Sequence, residues 1–459
     1  MITFVHTADW QVGKPFASIT DPSKRARVQQ ERIEVIRRIG SVVRERRAGF
    51  VIVAGDLFDS PTPTNATVAT TLGAIASLEV PVFCIPGNHD HGGPDSLWEQ
   101  PFFKSEHARL AANFRLLLEP EPVVVDVMDA TGEPTSVVLL PCPLRRRHEA
   151  DDPTAWIRSL DFTPFGDHPR IVIAHGSTTV FGPGGEDSLE NTSQADDEEF
   201  AAINVNTLAL DRLPLAEIDY LALGDWHGFL LAGPKGCYSG APEIDRFPKP
   251  GQQPGNVAAV TIARGSGPRI EQVATGRFRW LVHELALGDD GPGQLDTWLT
   301  EATRPTAAGE PGFESCLARL TVRGSISLAE RAAIDSLMES WTARLLRLDL
   351  DDQTLLAPSP AEIRELAERP GDPIISRVAT ELVALLDGPQ AASALAGRAG
   401  DAAPPDPDVV RLAIHMLHAL TAPGGVVSSR DQPDHTRTGV GSDPVAGEAT
   451  LVAGESQRA

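Results

Sequence analysis

The sequence lacks several features that would place it in common classes of protein. Its 459 residues include only four cysteines: Cys84, Cys142, Cys237 and Cys316. None stands in a CxxC spacing, so neither a disulfide framework nor a zinc site of that kind is expected. No run of about 18 apolar residues is present, and the chain starts with a strand pattern at residues 2–5 instead of a charged leader. These absences predict a soluble, cytoplasmic protein with no membrane partner.

Basic residues are also scarce. The chain has 40 Lys and Arg against 63 Asp and Glu, a formal net charge of −23. Because nucleic acid is bound through cations that neutralise its phosphates, DNA contacts require a local patch, metal ions or a partner subunit. Residues 24–47 contain nine basic and three acidic residues, and Arg145, Arg146 and Arg147 form a second cluster that we predict as a nucleic-acid contact. Both clusters are equally typical of solvated faces.

Short apolar runs and helical patterns divide the chain into three regions. Over residues 1–275 they alternate, which predicts an α/β domain with helices packed on a sheet. Over residues 278–421 a β-α-β-α-β order and later helical patterns predict a small α+β and helical region. Residues 422–459 contain few large apolar side chains, so a disordered tail is expected there.

Five segments place possible metal ligands directly after predicted strands. Their polar residues are Asp9 and Gln11; Asp56; Asn88, His89 and Asp90; His175; and Asp225 and His227. Residues that follow strands in α/β sheets collect at the carboxyl ends of those strands. Each segment alone is typical of an ordinary turn. The ordered set, however, indicates one metal centre.

The side chains in these segments suit hydrolysis of a phosphoester. Asp56 is the natural bridging ligand, because the neighbouring Gly55 lets the backbone turn close to the ions. Two cations about 3.5–4 Å apart can stabilise both the attacking and the leaving oxygen. A protonated His89 is expected either to donate to the leaving oxygen or to stabilise the phosphorane charge, with Asp90 orienting its imidazole. No segment supports Cys-based or Ser-His-Asp catalysis.

Three of these segments carry a family resemblance. They read HTADW at residues 6–10, AGDLFDS at residues 54–60 and PGNHD at residues 86–90. They resemble the calcineurin-like metallophosphoesterase superfamily and, within it, the SbcD-type nuclease subunits of double-strand-break repair. Over residues 1–275 the resemblance implies a four-layered α/β/β/α sandwich that binds two manganese ions, or magnesium. After residue 278 the chain is similar to the family's capping domain in position and size.

The resemblance also implies roles for individual residues. Asp9, Asp56 and His227 would hold the first ion. The ligands of the second ion would be Asp56, Asn88, His175 and Asp225, and His89 would be the catalytic histidine. The protein is then expected to be a hydrolase, an exonuclease or endonuclease that acts on DNA in repair together with an SMC-like coiled-coil ATPase. Related subunits often form homodimers, so a homodimer is a further expected partner state.

Two positions depart from the family pattern. Gln11 and Asp225 stand where the family usually has histidine. Gln11 offers only a neutral amide oxygen, a weak ligand, whereas Asp225 still ligates and adds negative charge. The site therefore holds more oxygen and less imidazole, which favours Mn²⁺ or Mg²⁺ over Zn²⁺. An altered but working site is the preferred interpretation, and a degenerate structural site is the alternative.

Two other functions stay open beside the nuclease. The same metal core serves many substrates, so a phosphodiesterase of a nucleotide or another small diester is one alternative. The other is a folded partner of the ATPase whose site no longer turns over.

Overall fold

The computed structural model describes residues 1–178, 205–288, 290–305, 312–356, 360–369, 371–386 and 406–421. The predicted disordered tail, residues 422–459, lies outside these residues. Contacts divide the chain into two units. The first comprises Met1–Ile326 and Ala333–Leu355, and the second comprises Ser327–Ala332 and Leu356–Ala459.

The first unit contains two six-stranded mixed sheets. The strands of the first sheet are β1 (Ile2–Thr7), β2 (Val51–Ala54), β3 (Val82–Ile85), β4 (Phe114–Leu116), β11 (Asn256–Ile262) and β12 (Arg269–Ala274). Their order is β12-β11-β1-β2-β3-β4. Strands β1 to β4 are parallel, so their carboxyl ends share one edge. Strand β11 runs antiparallel to both β1 and β12.

The second sheet is also mixed. Its strands are β5 (Val123–Met128), β6 (Pro134–Cys142), β7 (Arg170–His175), β8 (Tyr220–Gly224), β9 (Leu230–Ala232) and β10 (Gly236–Tyr238). Their order is β5-β6-β7-β8-β10-β9. The four central strands are parallel, and the edge strands β5 and β9 are antiparallel to their neighbours.

Helices cover one face of the first sheet. They are α1 (Pro22–Arg46), α2 (Asn65–Ala76) and α3 (Pro101–Leu110). Asp21 begins α1 as an N-cap, since its carboxylate accepts from the backbone N–H groups of Ser23 and Lys24. Apolar side chains of all three helices share one core with β2 and β3. Strand β2 is buried along its whole length, which explains its uninterrupted apolar sequence.

The two sheets face each other across a second core. Phe4 and Phe50 of the first sheet stack with ring centroids 4.8 Å apart, and Tyr220 of the second sheet meets Phe4 edge-on at 5.5 Å. The outer face of the second sheet packs on 3₁₀ helices, including Ala155–Ser159 and Leu210–Arg212, within the part of the chain that the structure describes. The predicted α/β class is confirmed. The fourth, helical layer stays a prediction.

A small three-stranded sheet completes the first unit. Its strands are β13 (Arg279–Leu287), β14 (Cys316–Ile326) and β15 (Arg347–Leu356), joined by α4 (Gly291–Ala302) and α5 (Leu328–Arg344). This is the β-α-β-α-β order that the sequence predicts. Phe278, Trp280 and Leu317 share a core with Phe16 and Ile19. The predicted domain boundary near residue 275 remains a prediction.

The residues of the second unit that the structure describes are mainly helical. It contains α6 (Pro360–Ala367), α7 (Pro373–Leu386) and α8 (Pro407–Thr421), together with the first residues of α5. Leu366, Ala379 and Ile414 lie in its core. Among the described helices of the whole chain, none combines the length and the apolar sequence that a membrane span needs.

Candidate metal centre

The five polar segments meet where the carboxyl ends of both large sheets lie. Asp9 follows β1, Asp56 follows β2, Asn88 follows β3, His175 ends β7 and Asp225 follows β8. Ligand-type atoms of Asp9, Asp56 and His175 lie within 4.8 Å of one another, and all three residues are buried. The predicted convergence of these segments is thus present. A buried group of two carboxylates and one imidazole is suited to a divalent cation.

The backbone of the site adopts conformations that most residues avoid. Asp9, Gln11, Asp56 and Asp225 have positive φ angles of 54°, 42°, 55° and 95°. Such angles are uncommon for residues with a Cβ and are concentrated at functional sites. The N–H of Asp9 donates to the carbonyl of Gly55 at 3.1 Å, and that of Gln11 donates to the carbonyl of Asp56 at 2.9 Å. These cross-strand bonds hold the first two segments side by side.

Glycines allow the segments to approach this closely. A Cβ at Gly87 would lie 2.1 Å from Oδ1 of Asp56, and one at Gly55 would lie 2.3 Å from Nδ1 of His175. Gly224 is similarly confined, since its Cβ would be 2.0 Å from the carbonyl oxygen of Ala54. Gly55, Gly87 and Gly224 are therefore required by space, and Gly55, with a φ of 92°, is required by conformation as well.

His175, Asp56, Asn88 and Asp225 form the first of two candidate positions, here named the Asn88 position. Nε2 of His175 lies 2.9 Å from Oδ1 of Asn88, 3.5 Å from Oδ1 of Asp56 and 3.8 Å from Oδ1 of Asp225. Nδ1 of His175 donates to the carbonyl of Ala54 at 2.8 Å, so Nε2 points at the carboxylates. A main-chain carbonyl behind the ring is a usual support for a metal-binding histidine.

The electrostatics of the Asn88 position favour positive charge. Burial by itself lowers the pKa of His175, but Asp56, Asp9 and Asp225 outweigh it and raise that pKa to about 9. Burial raises the pKa of the Asp9 carboxyl to about 6, partly offset by His227 and His175. Carboxylates that favour a proton on His175 would equally favour a cation. The residues at this position therefore fit a divalent ion.

The residues predicted for the other ion, here named the Gln11 position, are Asp9, Gln11, Asp56 and His227. Nε2 of Gln11 lies 3.4 Å from Nε2 of His227, while Oε1 of Gln11 accepts from Nζ of Lys14 at 2.7 Å. Nη2 of Arg246 also faces Nε2 of His227, at 3.3 Å. The two neutral ligand atoms that this position would offer a cation, Oε1 of Gln11 and Nε2 of His227, thus both face N–H donors. In this arrangement the Gln11 position does not fit a metal ion.

The comparisons with known proteins concern the part of the chain that carries these segments. A family model described as calcineurin-like phosphoesterase matches residues 2–229, the part of the chain that carries all five segments. Residues 2–229 belong to the calcineurin-like phosphoesterase family. A metal-dependent hydrolase is the corresponding enzyme class, and the predicted resemblance is confirmed at this level.

Two further comparisons extend beyond the phosphoesterase residues. The chain is 25% identical over 317 residues to the SbcD component of the nuclease SbcCD of Bacillus subtilis (strain 168), an alignment that covers 65% of this chain and 75% of that protein. A solved crystal structure aligns with 59% of this chain and 98% of its own length, but at 13% identity and a TM-score of 0.31. The latter likeness is too low to carry an argument.

His89 lies at the open side of the phosphoesterase site. Its Nδ1 is 2.9 Å from the carbonyl oxygen of Asp59, its Nε2 is 4.0 Å from Oδ2 of Asp56, and its side chain is 30% exposed. Its backbone N–H donates to Oδ1 of Asp56 at 3.0 Å. Because a carbonyl oxygen only accepts, Nδ1 carries a proton, and Nε2 is the atom that faces the centre.

The prediction that Asp90 orients the His89 imidazole is wrong. The buried carboxylate of Asp90 accepts instead from the backbone N–H groups of Gly87 at 2.8 Å and Phe58 at 3.0 Å. Burial and the nearby Asp56 raise the pKa of Asp90 to about 7, against these two hydrogen bonds. Asp90 is therefore a support for the loops that carry Asn88 and Asp56.

Two residues that support the phosphoesterase site, Asp245 and Arg32, are not predicted from the sequence. Asp245 accepts from Nδ1 of His227 at 2.9 Å and from Lys14 at 2.7 Å. Arg32, counted above in a basic patch, is fully buried and donates to the carbonyls of Asp9 and Trp10. No local pattern marks Asp245. The only signal for Arg32 was its place on the apolar side of the α1 helical pattern.

The Arg145 cluster lies beside the loop that follows Asp90. The N–H of Gly92 donates to the carbonyl of Leu144 at 2.8 Å, and a Cβ at Gly93 would lie 2.4 Å from the carbonyl oxygen of Arg145. Arg145, Arg146 and Arg147 are exposed, and Arg145 is paired with Glu119. Their assignment as nucleic-acid contacts remains a prediction.

Proposed function

We propose that this chain is a metal-dependent phosphodiesterase that cleaves DNA as the nuclease subunit of an assembly with an SMC-like coiled-coil ATPase. The observation that carries the proposal is the buried convergence of Asp9, Asp56 and His175 beside the carboxyl ends of strands from both sheets. The family of residues 2–229 and the similarity to a component of the nuclease SbcCD support it. Mn²⁺ or Mg²⁺ is the proposed ion, because oxygen ligands predominate.

The residues of the site divide the work. An ion held by Asp56, Asn88, His175 and Asp225 would supply Lewis-acid polarisation of a phosphoryl oxygen. His89 would carry a proton on Nε2 and donate it to the leaving oxygen, with Nδ1 held by the carbonyl of Asp59. Asp90 would hold the loops that carry Asn88 and Asp56 in position through its hydrogen bonds to the backbone N–H groups of Gly87 and Phe58.

The negative net charge of the chain favours a partner that binds the DNA. With a net charge of −23 the isolated chain repels DNA over most of its surface. A partner that supplies most of the DNA contacts resolves this conflict, and the exposed residues Arg145, Arg146 and Arg147 would guide the strand locally. Binding by the isolated chain should therefore be weak and fall further as salt rises.

Degradation of end-labelled linear DNA in Mn²⁺ tests the proposal, with the candidate ATPase absent and then present. His89→Ala should abolish degradation. The matched control is His168→Ala, because His168 is exposed and precedes the amino end of β7, at the opposite edge of the sheet from His175. Equal activity of wild type and His89→Ala would refute the role of His89.

One observation favours a second candidate, the ATPase partner without turnover. The altered Gln11 position departs from the two-ion arrangement that the resemblance implies. Absence of DNA degradation with the ATPase present would favour this candidate if small chromogenic diesters also stay intact. Hydrolysis of the small diesters alone would instead indicate a small-diester enzyme.

A further inference from the structure

The Gln11 position contains a closed hydrogen-bond network. Gln11 and Asp9 are fully buried, and the side chain of Asp245 is only 1% exposed. Lys14 lies between the amide oxygen of Gln11 and Oδ2 of Asp245, 2.7 Å from each. Its ammonium group is also 3.7 Å from Oδ1 of Asp59. The network thus brings one full positive charge to the place where the family resemblance implies a metal ion.

Asp245 sets the donor and acceptor roles of His227. Oδ1 of Asp245 lies 2.9 Å from Nδ1 of His227. The carboxylate oxygen accepts a hydrogen bond from the N–H of Nδ1, so Nε2 is the acceptor atom of the ring. That acceptor faces the NH₂ group of Gln11 and the guanidinium of Arg246.

Gln11 cannot turn its oxygen toward a cation without losing this network. In the observed orientation Oε1 accepts from Lys14 and Nε2 donates toward His227. The reverse orientation would place an NH₂ group against an ammonium group, two donors with no acceptor between them. Each alternative that frees Oε1 leaves Lys14 with one partner fewer in a largely buried site. Lys14 and Gln11 therefore act as one unit.

We propose that this chain binds one divalent cation, at the Asn88 position, and that the Lys14 ammonium, held by Gln11 and Asp245, supplies the positive charge at the Gln11 position. The proposal rests on the proposed function, because it concerns the same site. It revises the expectation of two ions. It also explains why a glutamine is tolerated at position 11: the amide links a lysine to a histidine instead of ligating a metal.

Metal stoichiometry tests the proposal without any activity measurement. The full chain is stripped of metal and titrated with Mn²⁺ in a calorimeter, and the Mn²⁺ electron paramagnetic resonance spectrum is recorded at saturation. The wild type should bind one ion per chain and give the spectrum of an isolated Mn²⁺. His227→Ala should keep one ion, whereas His175→Ala should lose it. Lys104→Met, an exposed lysine on α3, is the control and should also keep one ion.

The double variant Gln11→His with Lys14→Met tests the role of the lysine. Removing the ammonium and adding an imidazole should create a second site, with two ions per chain and the spectrum of a coupled pair. Circular dichroism of each variant shows whether it is folded. A double variant that is folded and still binds one ion would refute the role assigned to Lys14.

The wild-type outcomes separate this proposal from the proposed function. Two ions per wild-type chain would overturn the one-ion proposal and leave the phosphodiesterase intact. No bound ion, together with intact DNA, would overturn both.

Discussion

Arg32 is expected to stabilise the backbone of the site, although other basic residues of the same helix, such as Arg37 and Arg44, are exposed. It is fully buried, and its guanidinium donates to the carbonyls of Asp9, Trp10 and Glu243. Burial lowers the pKa of Arg32, partly offset by Asp245 and Glu243. In Arg32→Met a side chain of similar length stays in place, but three buried carbonyls lose their donor.

The expected loss in the free energy of unfolding follows from those three carbonyls. Each unsatisfied buried polar group costs about 1–3 kcal/mol, which gives a nominal sum of about 3–9 kcal/mol. Relaxation and packing of the methionine offset part of it, so we expect a loss of about 3–5 kcal/mol, the range for breaking a buried charged interaction. The control Arg37→Met removes a half-exposed pair with Glu34 on the same helix and should cost less than about 0.5 kcal/mol.

Urea unfolding, followed by tryptophan fluorescence and by circular dichroism, measures both variants. Calorimetric titration with Mn²⁺ then reports on the ion site, because Arg32 fixes the backbone of Asp9, whose carboxylate lies in one buried cluster with Asp56 and His175. Ion affinity should fall in Arg32→Met and not in Arg37→Met. If Arg32→Met is as stable as Arg37→Met, the three carbonyls have found other donors, and the supporting role of Arg32 is refuted.

Three further predictions concern the ion, the glycines and the DNA. Mn²⁺ at about 100 times its dissociation constant should stabilise the folded chain by about 2.7 kcal/mol in a thermal melt, and chelation should remove that gain. Gly87→Ala should destabilise the chain by about 1–3 kcal/mol and weaken calorimetric Mn²⁺ binding, because its Cβ would meet Asp56. By contrast, Gly73→Ala, with open space in α2, should gain about 0.5–1 kcal/mol. Replacing residues 145–147 by glutamate should reduce both DNA affinity and its salt dependence, measured by fluorescence anisotropy, and leave small-diester hydrolysis unchanged.

The sequence predicts that the candidate ligands lie together because each of them is tied to the end of a strand. Two short strands, Val51–Ala54 and Arg170–His175, are buried along their whole length. The polar residue at or just after the carboxyl end of each strand must therefore lie at the edge of the sheet. That rule places Asp56 and His175 at the carboxyl ends of strands in their own sheets, and the two residues meet because the sheets pack face to face. The α/β class follows from the alternation of the same strands with helical patterns.

The surroundings of the centre could not be predicted in this way. Asp245 is 18 residues beyond His227 and lies outside the described strands, so its position depends on the path of a loop. The predicted role of Asp90 is wrong because adjacency in sequence suggests a contact with His89. In the structure the turn directs the Asp90 carboxylate to the backbone N–H groups of Gly87 and Phe58. The backbone geometry of a turn determines which side chains form hydrogen bonds to the main chain there, and amino-acid composition does not predict that geometry.

The glutamine at position 11 changes the roles of the residues around it. Judged alone, its amide oxygen is a weak ligand, which suggests a loosely held ion. In the folded chain that oxygen is already bonded to Lys14, and Lys14 is bonded to Asp245, which in turn orients His227. A largely buried lysine and a buried carboxylate stabilise each other only as a pair, since either one left alone would be an uncompensated charge. Restoring histidine at position 11 therefore cannot restore a second ion by itself: as long as Lys14 remains paired with Asp245, its charge opposes a further cation.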